Sequence, residues 1–268
     1  MTFPALFAEY AKGYMAHYNY SKKEMQEMLA AVSALMYKNG IENPLAHFGK
    51  GSPPDKNKLF TKEAILDLPE SGKGSNPLIA DPLRLHDCSL ITDGAAALVL
   101  TKTKHAKAIS NKAVEIAGVG SQTERLAENV RPNMHELIVG KAAVKQSFDE
   151  AGITIDDVDI AEVHDCFTIN QLLCTEALGL SKDGQAGYDY INGRFNNGDD
   201  CPVNLSGGLK AKGHPVGATG ASMHALVYKQ LIGEPIGLTK AKGEPEIGVA
   251  FNVGGSAVTN CVTTMRRI

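Results

Sequence analysis

The hydrophobic and polar positions of this chain change rhythm partway along. From Met1 to about Ile79 apolar residues recur at helical spacing between polar loops, which predicts a helical segment. Ser21-Lys22-Lys23-Glu24 has the form of a capping box. Met25, Met28, Leu29, Val32, Leu35 and Met36 then follow at three- and four-residue intervals, and Gly40 closes the helix they predict. Thr61 to Leu68 reads as a short second helix ending at Pro69. The stretches GKGSPPDKNK and PESGKGSNP are loops. From Leu85 the pattern alternates. Ala95 to Leu100 is an unbroken small-to-branched apolar run, as expected of a strand buried on both faces. Val114 to Val119 is a second strand. A helix over Leu137 to Ala151, stopped by Gly152, leads to a strand over Val158 to Val163. Helices over Phe167 to Leu178 and Thr219 to Leu231 stop near Gly179 and Gly233. Two last strands, Ile247 to Val253 and Ala257 to Thr264, are joined by Gly254-Gly255. Such alternation predicts an α/β fold, a mostly parallel or mixed sheet covered by helices.

Composition narrows this picture. With 268 residues, 43% apolar and 21% charged, the chain suits one large globular domain or two ordinary ones. A net charge of −3 and the absence of any Arg/Lys stripe argue against nucleic acid as a partner. The five cysteines (Cys88, Cys166, Cys174, Cys201, Cys261) lack CxxC pairing, so reduced thiols are expected, with neither disulfides nor a metal. Glu9 and Lys12 break the first apolar run, which has no basic flank, so no signal peptide is read. No run reaches the roughly 18 apolar residues of a membrane span. A cytoplasmic protein is expected.

Three short motifs fall where α/β folds gather reactive groups, after strands and before helices. They are His164-Asp165-Cys166-Phe167, Gly213-His214-Pro215 within SGGLKAKGHPVGATG, and Asn252-Val253-Gly254-Gly255. His214 offers an imidazole N–H to a carbonyl oxygen. Cys166 offers a thiol whose pKa could be lowered beside His164 or His214. Gly254 offers a backbone N–H in a tight loop. Plainer readings exist: a loop histidine, a small buried hydrophobe, a histidine capping a strand end. Lys210 and Lys212 read as exposed lysines without a specific partner.

Together these motifs resemble the thiolase family, in its sterol-carrier-protein-2 type, and the resemblance runs the length of the chain. SGGLKAKGHPVGATG is similar to the thiolase GHP loop, HDCF to that type's version of the NEAF motif, and LHDCSLITDGAAALVL to the strand ending the N-terminal thiolase domain. The resemblance implies a thiolase-like fold in three parts: a helical loop domain over residues 1–84, a residual end of the N-terminal domain over 85–112, and the C-terminal domain over 113–268. It implies that His214 activates a nucleophile and lines one oxyanion hole, and that Cys166 is the acid/base. It places His164 where other thiolases have the asparagine that orients an oxyanion-hole water, and Gly254 at a second hole. Ser89 stands near the pantetheine arm of coenzyme A. The family's C-terminal CxG motif reads Asn252-Val253-Gly254 here, and the cysteine in HDCF compensates.

The implied activity is acyl transfer between coenzyme A thioesters, in lipid metabolism, with coenzyme A as substrate and no bound cofactor. No CxSG-like nucleophile is present. Met1 is accordingly expected to be an internal methionine of a longer protein, or the remainder a separate subunit. Expected partners are acyl-CoA and coenzyme A, with a homodimer or tetramer, or an N-terminal thiolase subunit. Rival readings are a catalytically incomplete subunit, a thiolase-like retro-aldolase on CoA esters, and a Cys166/His214 hydrolase.

Overall fold

The computed structural model describes residues 2–268. Helix α1 (Phe3–Tyr18) is followed by α2 (Lys22–Gly40), whose capping box is fully made: Ser21 Oγ accepts from Glu24 N at 3.2 Å, and Glu24 accepts from Ser21 N at 2.8 Å. All six apolar residues read from its period are buried. The first loop contains a single turn, α3 (Pro53–Lys56). The helix predicted over Thr61 to Leu68 is α4 (Lys62–Leu66), with Thr61 Oγ1 accepting from Ala64 N at 3.2 Å. A small hairpin, β1 (Leu78–Ala80) and β2 (Leu83–Arg84), and the short helix α5 (Thr103–Ile109) have no clear sequence signal.

The sheet holds β3 (Val114–Thr123), β4 (Ile160–Val163), β5 (Ile247–Gly254) and β6 (Thr259–Arg267) in the order β3-β6-β5-β4. Only β4 and β5 are parallel, so the sheet is mixed. The helices are α6 (Ile138–Ala151), α7 (Thr168–Leu178), α8 (Ala186–Ile191), α9 (Gly208–Lys212) and α10 (Thr219–Leu231). Gly152 and Gly179 end α6 and α7 in the left-handed conformation, as the sequence implied. Neighbouring threonines of β6 show how the sheet is covered, because successive strand side chains face opposite ways. Thr263 Oγ1 bonds His224 of α10 at 2.9 Å, whereas Thr264 Oγ1 bonds Ser147 of α6 at 2.9 Å. Every residue of α7 is buried, between α6 and the α1–α2 helices.

The strand expected over Ala95 to Leu100 does not form. The segment pairs with no strand among the described residues; Val99 is 99% exposed and Leu100 72%. An apolar run becomes a buried strand only if neighbours take its backbone hydrogen bonds and cover its faces. The sheet closes at β3 and β4 without reaching it.

Candidate functional site

The parallel pairing of β4 with β5 carries the first loop into place. Past the end of β4 the ladder continues for one more bond, His164 N to Phe251 O at 3.0 Å. Asn170 of α7 donates to His164 O at 2.6 Å, so this residue is held from both sides of its backbone. The ring meets the next residue of β5, with Nδ1 3.0 Å from Asn252 Oδ1.

The second loop is fastened to the first by Asp165, a residue the sequence reading left without a role. Its carboxyl accepts from Leu209 N at 2.6 Å and Lys210 N at 3.1 Å, at the start of α9. Gly208 makes this approach possible: it has φ +60°, and a Cβ there would lie 2.1 Å from Asp165 Oδ2. Beyond α9, Gly213 (φ +117°) lets the chain pass Thr92, whose Oγ1 accepts from His214 N at 3.0 Å. His214 Nδ1 lies 2.7 Å from Thr219 Oγ1, and Thr219 donates to Pro215 O at 3.0 Å. The rings of His164 and His214 therefore stand edge to face, centroids 5.1 Å apart at 90°.

Both imidazoles are held neutral. Burial pushes His164 down to about 3, helped by His214 and opposed by the Asn252 hydrogen bond. Burial, then the nearby Lys212 ammonium, pushes His214 down to about 4. Asp165 moves the other way, up to about 6, because burial outweighs its two N–H donors and Lys212.

Cys166 sits in the same loop, 6% exposed. Contrary to expectation, its thiol is pushed well above the usual range, by burial first and then by Asp165 and Cys174; the Phe167 N–H only partly offsets this. The histidines do not lower it, since both are neutral and an uncharged imidazole gives no Coulombic stabilisation to a thiolate. Ser89 N donates to Cys166 O at 2.8 Å, and Cys88 bridges Phe167 while Ile91 bridges His214. Ser89 is thus placed beside this loop by its backbone. Gly254 is not in a tight turn: it is the last residue of β5, paired with Thr259, and the turn follows it at Gly255 (φ +57°). It shares a strand face with Asn252 two positions before it. Lys210, read as exposed, is 2% exposed, with Nζ 2.7 Å from Tyr37 OH and over the Tyr37 ring at 4.5 Å. Burial pushes it down to about 8. Lys212 is partly exposed.

The sequence reading missed Thr92, Asp165, Asn170 and Thr219. Only Thr219 carried a usable signal, a hydroxyl at the helix start five residues after His214. Among the described residues no group of three or more His, Cys, Asp or Glu is placed to hold a metal ion. None of the described helices is long and apolar enough to cross a membrane.

Residues 118–267 match the family described as Thiolase C-terminal domain-like. The whole chain is 36% identical, over 267 residues, to the acetyl-CoA acetyltransferase of Methanothermobacter thermautotrophicus, covering 64% of that protein. It is 31% identical over 262 residues to sterol carrier protein 2 of Oryctolagus cuniculus, with 95% of this chain and 44% of that one covered. The fold is similar to that of a solved Ltp2-ChsH2(DUF35) aldolase, with a TM-score of 0.81, 19% identity and coverage of 99% of this chain and 64% of the other. The chain thus spans less than two thirds of the length of these relatives.

Proposed function

The chain belongs to the thiolase family, and on that premise we propose that it supplies the C-terminal catalytic loops of an acyltransferase working on coenzyme A thioesters. The reaction is thiolysis of a 3-oxoacyl-CoA or, in reverse, condensation of acetyl-CoA. The observation that carries this reading is the meeting of His164 and His214, edge to face at 5.1 Å, with the Cys166 thiol on the same loop as His164. None of the five cysteines suits the acyl-holding role: Cys166 and Cys174 are buried, and burial raises the thiols of Cys88 and Cys201 as well. Cys261 lies on β6, hydrogen-bonded to Ser121 of the edge strand. The nucleophile is therefore assigned to an N-terminal segment or a partner subunit.

Proton accounting follows from the groups present. The nucleophile's S–H gives its proton to neutral His214, and the thiolate attacks the thioester carbonyl carbon. The carbon–sulfur bond to coenzyme A breaks, and the departing thiolate takes the proton of Cys166, which is protonated at rest because burial raises it. Cys166 is then a thiolate and removes the α-proton of a second acyl-CoA. The resulting carbanion attacks the acyl-enzyme carbonyl, and the nucleophile leaves and recovers its proton from His214. Gly254 N–H and the protonated His214 stabilise the oxyanions.

The test uses the chain joined to its N-terminal remainder. Cys166→Ala is expected to lower condensation by about 10²–10⁴, the usual contribution of a positioned acid/base. Cys174→Ala, in the core of α7, should leave the chemistry nearly unchanged. The isolated chain should not turn over acetoacetyl-CoA with free coenzyme A; turnover at ordinary enzyme rates would make Cys166 the nucleophile. Normal condensation by Cys166→Ala would remove its acid/base role.

A further inference from the structure

Two of the positions at which this chain departs from the commoner thiolase wording, His164 and Asn252, are hydrogen-bonded to each other. An amide oxygen only accepts, so Asn252 Oδ1 at 3.0 Å requires the hydrogen on His164 Nδ1. The other ring is constrained by a separate chain of bonds. Thr219 Oγ1 lies 3.0 Å from Pro215 O and 2.7 Å from His214 Nδ1; with its one hydroxyl hydrogen on the carbonyl, it accepts from the ring. His214 Nδ1 therefore carries its hydrogen too. A neutral imidazole has a single N–H, so both Nε2 atoms are bare.

We infer that Asn252 and Thr219 are positioning residues that fix His164 and His214 as Nδ1–H imidazoles, so that the resting site presents two proton-accepting nitrogens and no imidazole donor. This deepens the proposed acyl transfer and rests on it only for what the nitrogens serve. A thiol is then the group the resting site is built to receive, since its S–H can donate to Nε2. A carbonyl or enolate oxygen becomes a partner only after that proton has moved and Nε2–H has formed. Base action thus precedes oxyanion binding by construction. The charged and titratable neighbours are Lys212 beside both rings, Asp165 and Cys166 on the His164 loop, and each ring for the other. Lys212 opposes protonation of both rings, which keeps them in the accepting form at rest.

The experiment is two-bond 1H–15N correlation NMR of the 268-residue chain labelled at histidine, with circular dichroism as the folding control. Both rings are expected as Nδ1–H tautomers at pH 7. Thr219→Ser should keep this state at His214, and Thr219→Val should lose it. Asn252→Leu should release the tautomer of His164. Asn252→Asp should instead raise the proton-binding midpoint of His164 by about 1–3 pH units, the effect of an adjacent opposite charge. An Nε2–H tautomer at either ring in the unaltered chain would overturn the inference. So would unchanged tautomers in folded Asn252→Leu and Thr219→Val. The expected tautomers in a joined enzyme that proves inactive would support this inference and count against acyl transfer.

Discussion

Two stretches of this chain, one of mixed polarity and one wholly apolar, meet fates opposite to what their composition suggests. Helix α7 is buried along its whole length, with Leu172 and Leu173 at 0% and 1% exposure, and holds the His164 loop from beneath. The run from Ala95 to Leu100 lies in the open and supports nothing. Yet the segment just before it touches the same site, through Ser89 N on Cys166 O and Ile91 beside His214. Hydrophobicity alone did not decide the outcome. Burial of α7 follows from neighbours on every side, and the exposed run has no strand to pair with.

The comparison can be broken by substitution, and the largest effect is expected in α7. Leu173→Ala should cost about 2–5 kcal/mol in urea unfolding, the range for a truncated core leucine. A cost near zero would mean that α7 is not packed as described. A pH-dependent effect of intermediate size is expected from Glu162, buried on β4, where burial raises the carboxyl to about 7 and Ser206 opposes the rise. The folded state then holds a proton that an unfolded chain, titrating near 4.3, releases earlier. Stability from this group is complete below about pH 4.3 and is lost as pH rises towards about 7. Glu162→Gln should therefore gain on the unaltered chain between pH 5 and pH 8; a constant difference across that range would refute the shift. The smallest effect on stability belongs to Val99→Asp, within about 0.5 kcal/mol, as for exposed positions generally. The same change should reduce self-association, because the exposed apolar run is the kind of surface that drives it. Sedimentation velocity at micromolar concentration would show the unaltered chain larger than a monomer and the variant closer to one. Equal sedimentation of the two would free the run of that role.

What the sequence made legible was what local physics controls. The Ser21 box, the period from Met25 to Met36, the glycine stops at Gly152 and Gly179 and the strand–helix alternation from Val114 onward all rest on neighbours a few residues apart, and all appear in the structure. The three motifs also end up around one place. What was not legible depends on partners far along the chain. Lys210 reads as a surface lysine until Tyr37 and Phe48 enclose it, at separations of 173 residues for its hydrogen bond to Tyr37. Cys166 looks activated beside two histidines until burial decides the charge of all three. Asp165 looks incidental until Leu209 and Lys210 turn their amides towards it.

The contact at Gly208 has a consequence for anyone altering this loop by design or by selection. Glycines 208 and 217 look interchangeable on paper, one on each side of His214. Position 208 combines a left-handed backbone with a carboxylate 2.1 Å from where a side chain would begin, so no other residue fits without moving Asp165 and, through it, the His164 loop. Position 217 has nothing within 4 Å of a new Cβ and no positive φ. A library varied at both sites would fill one column of its survivors with many residues and leave the other with one letter.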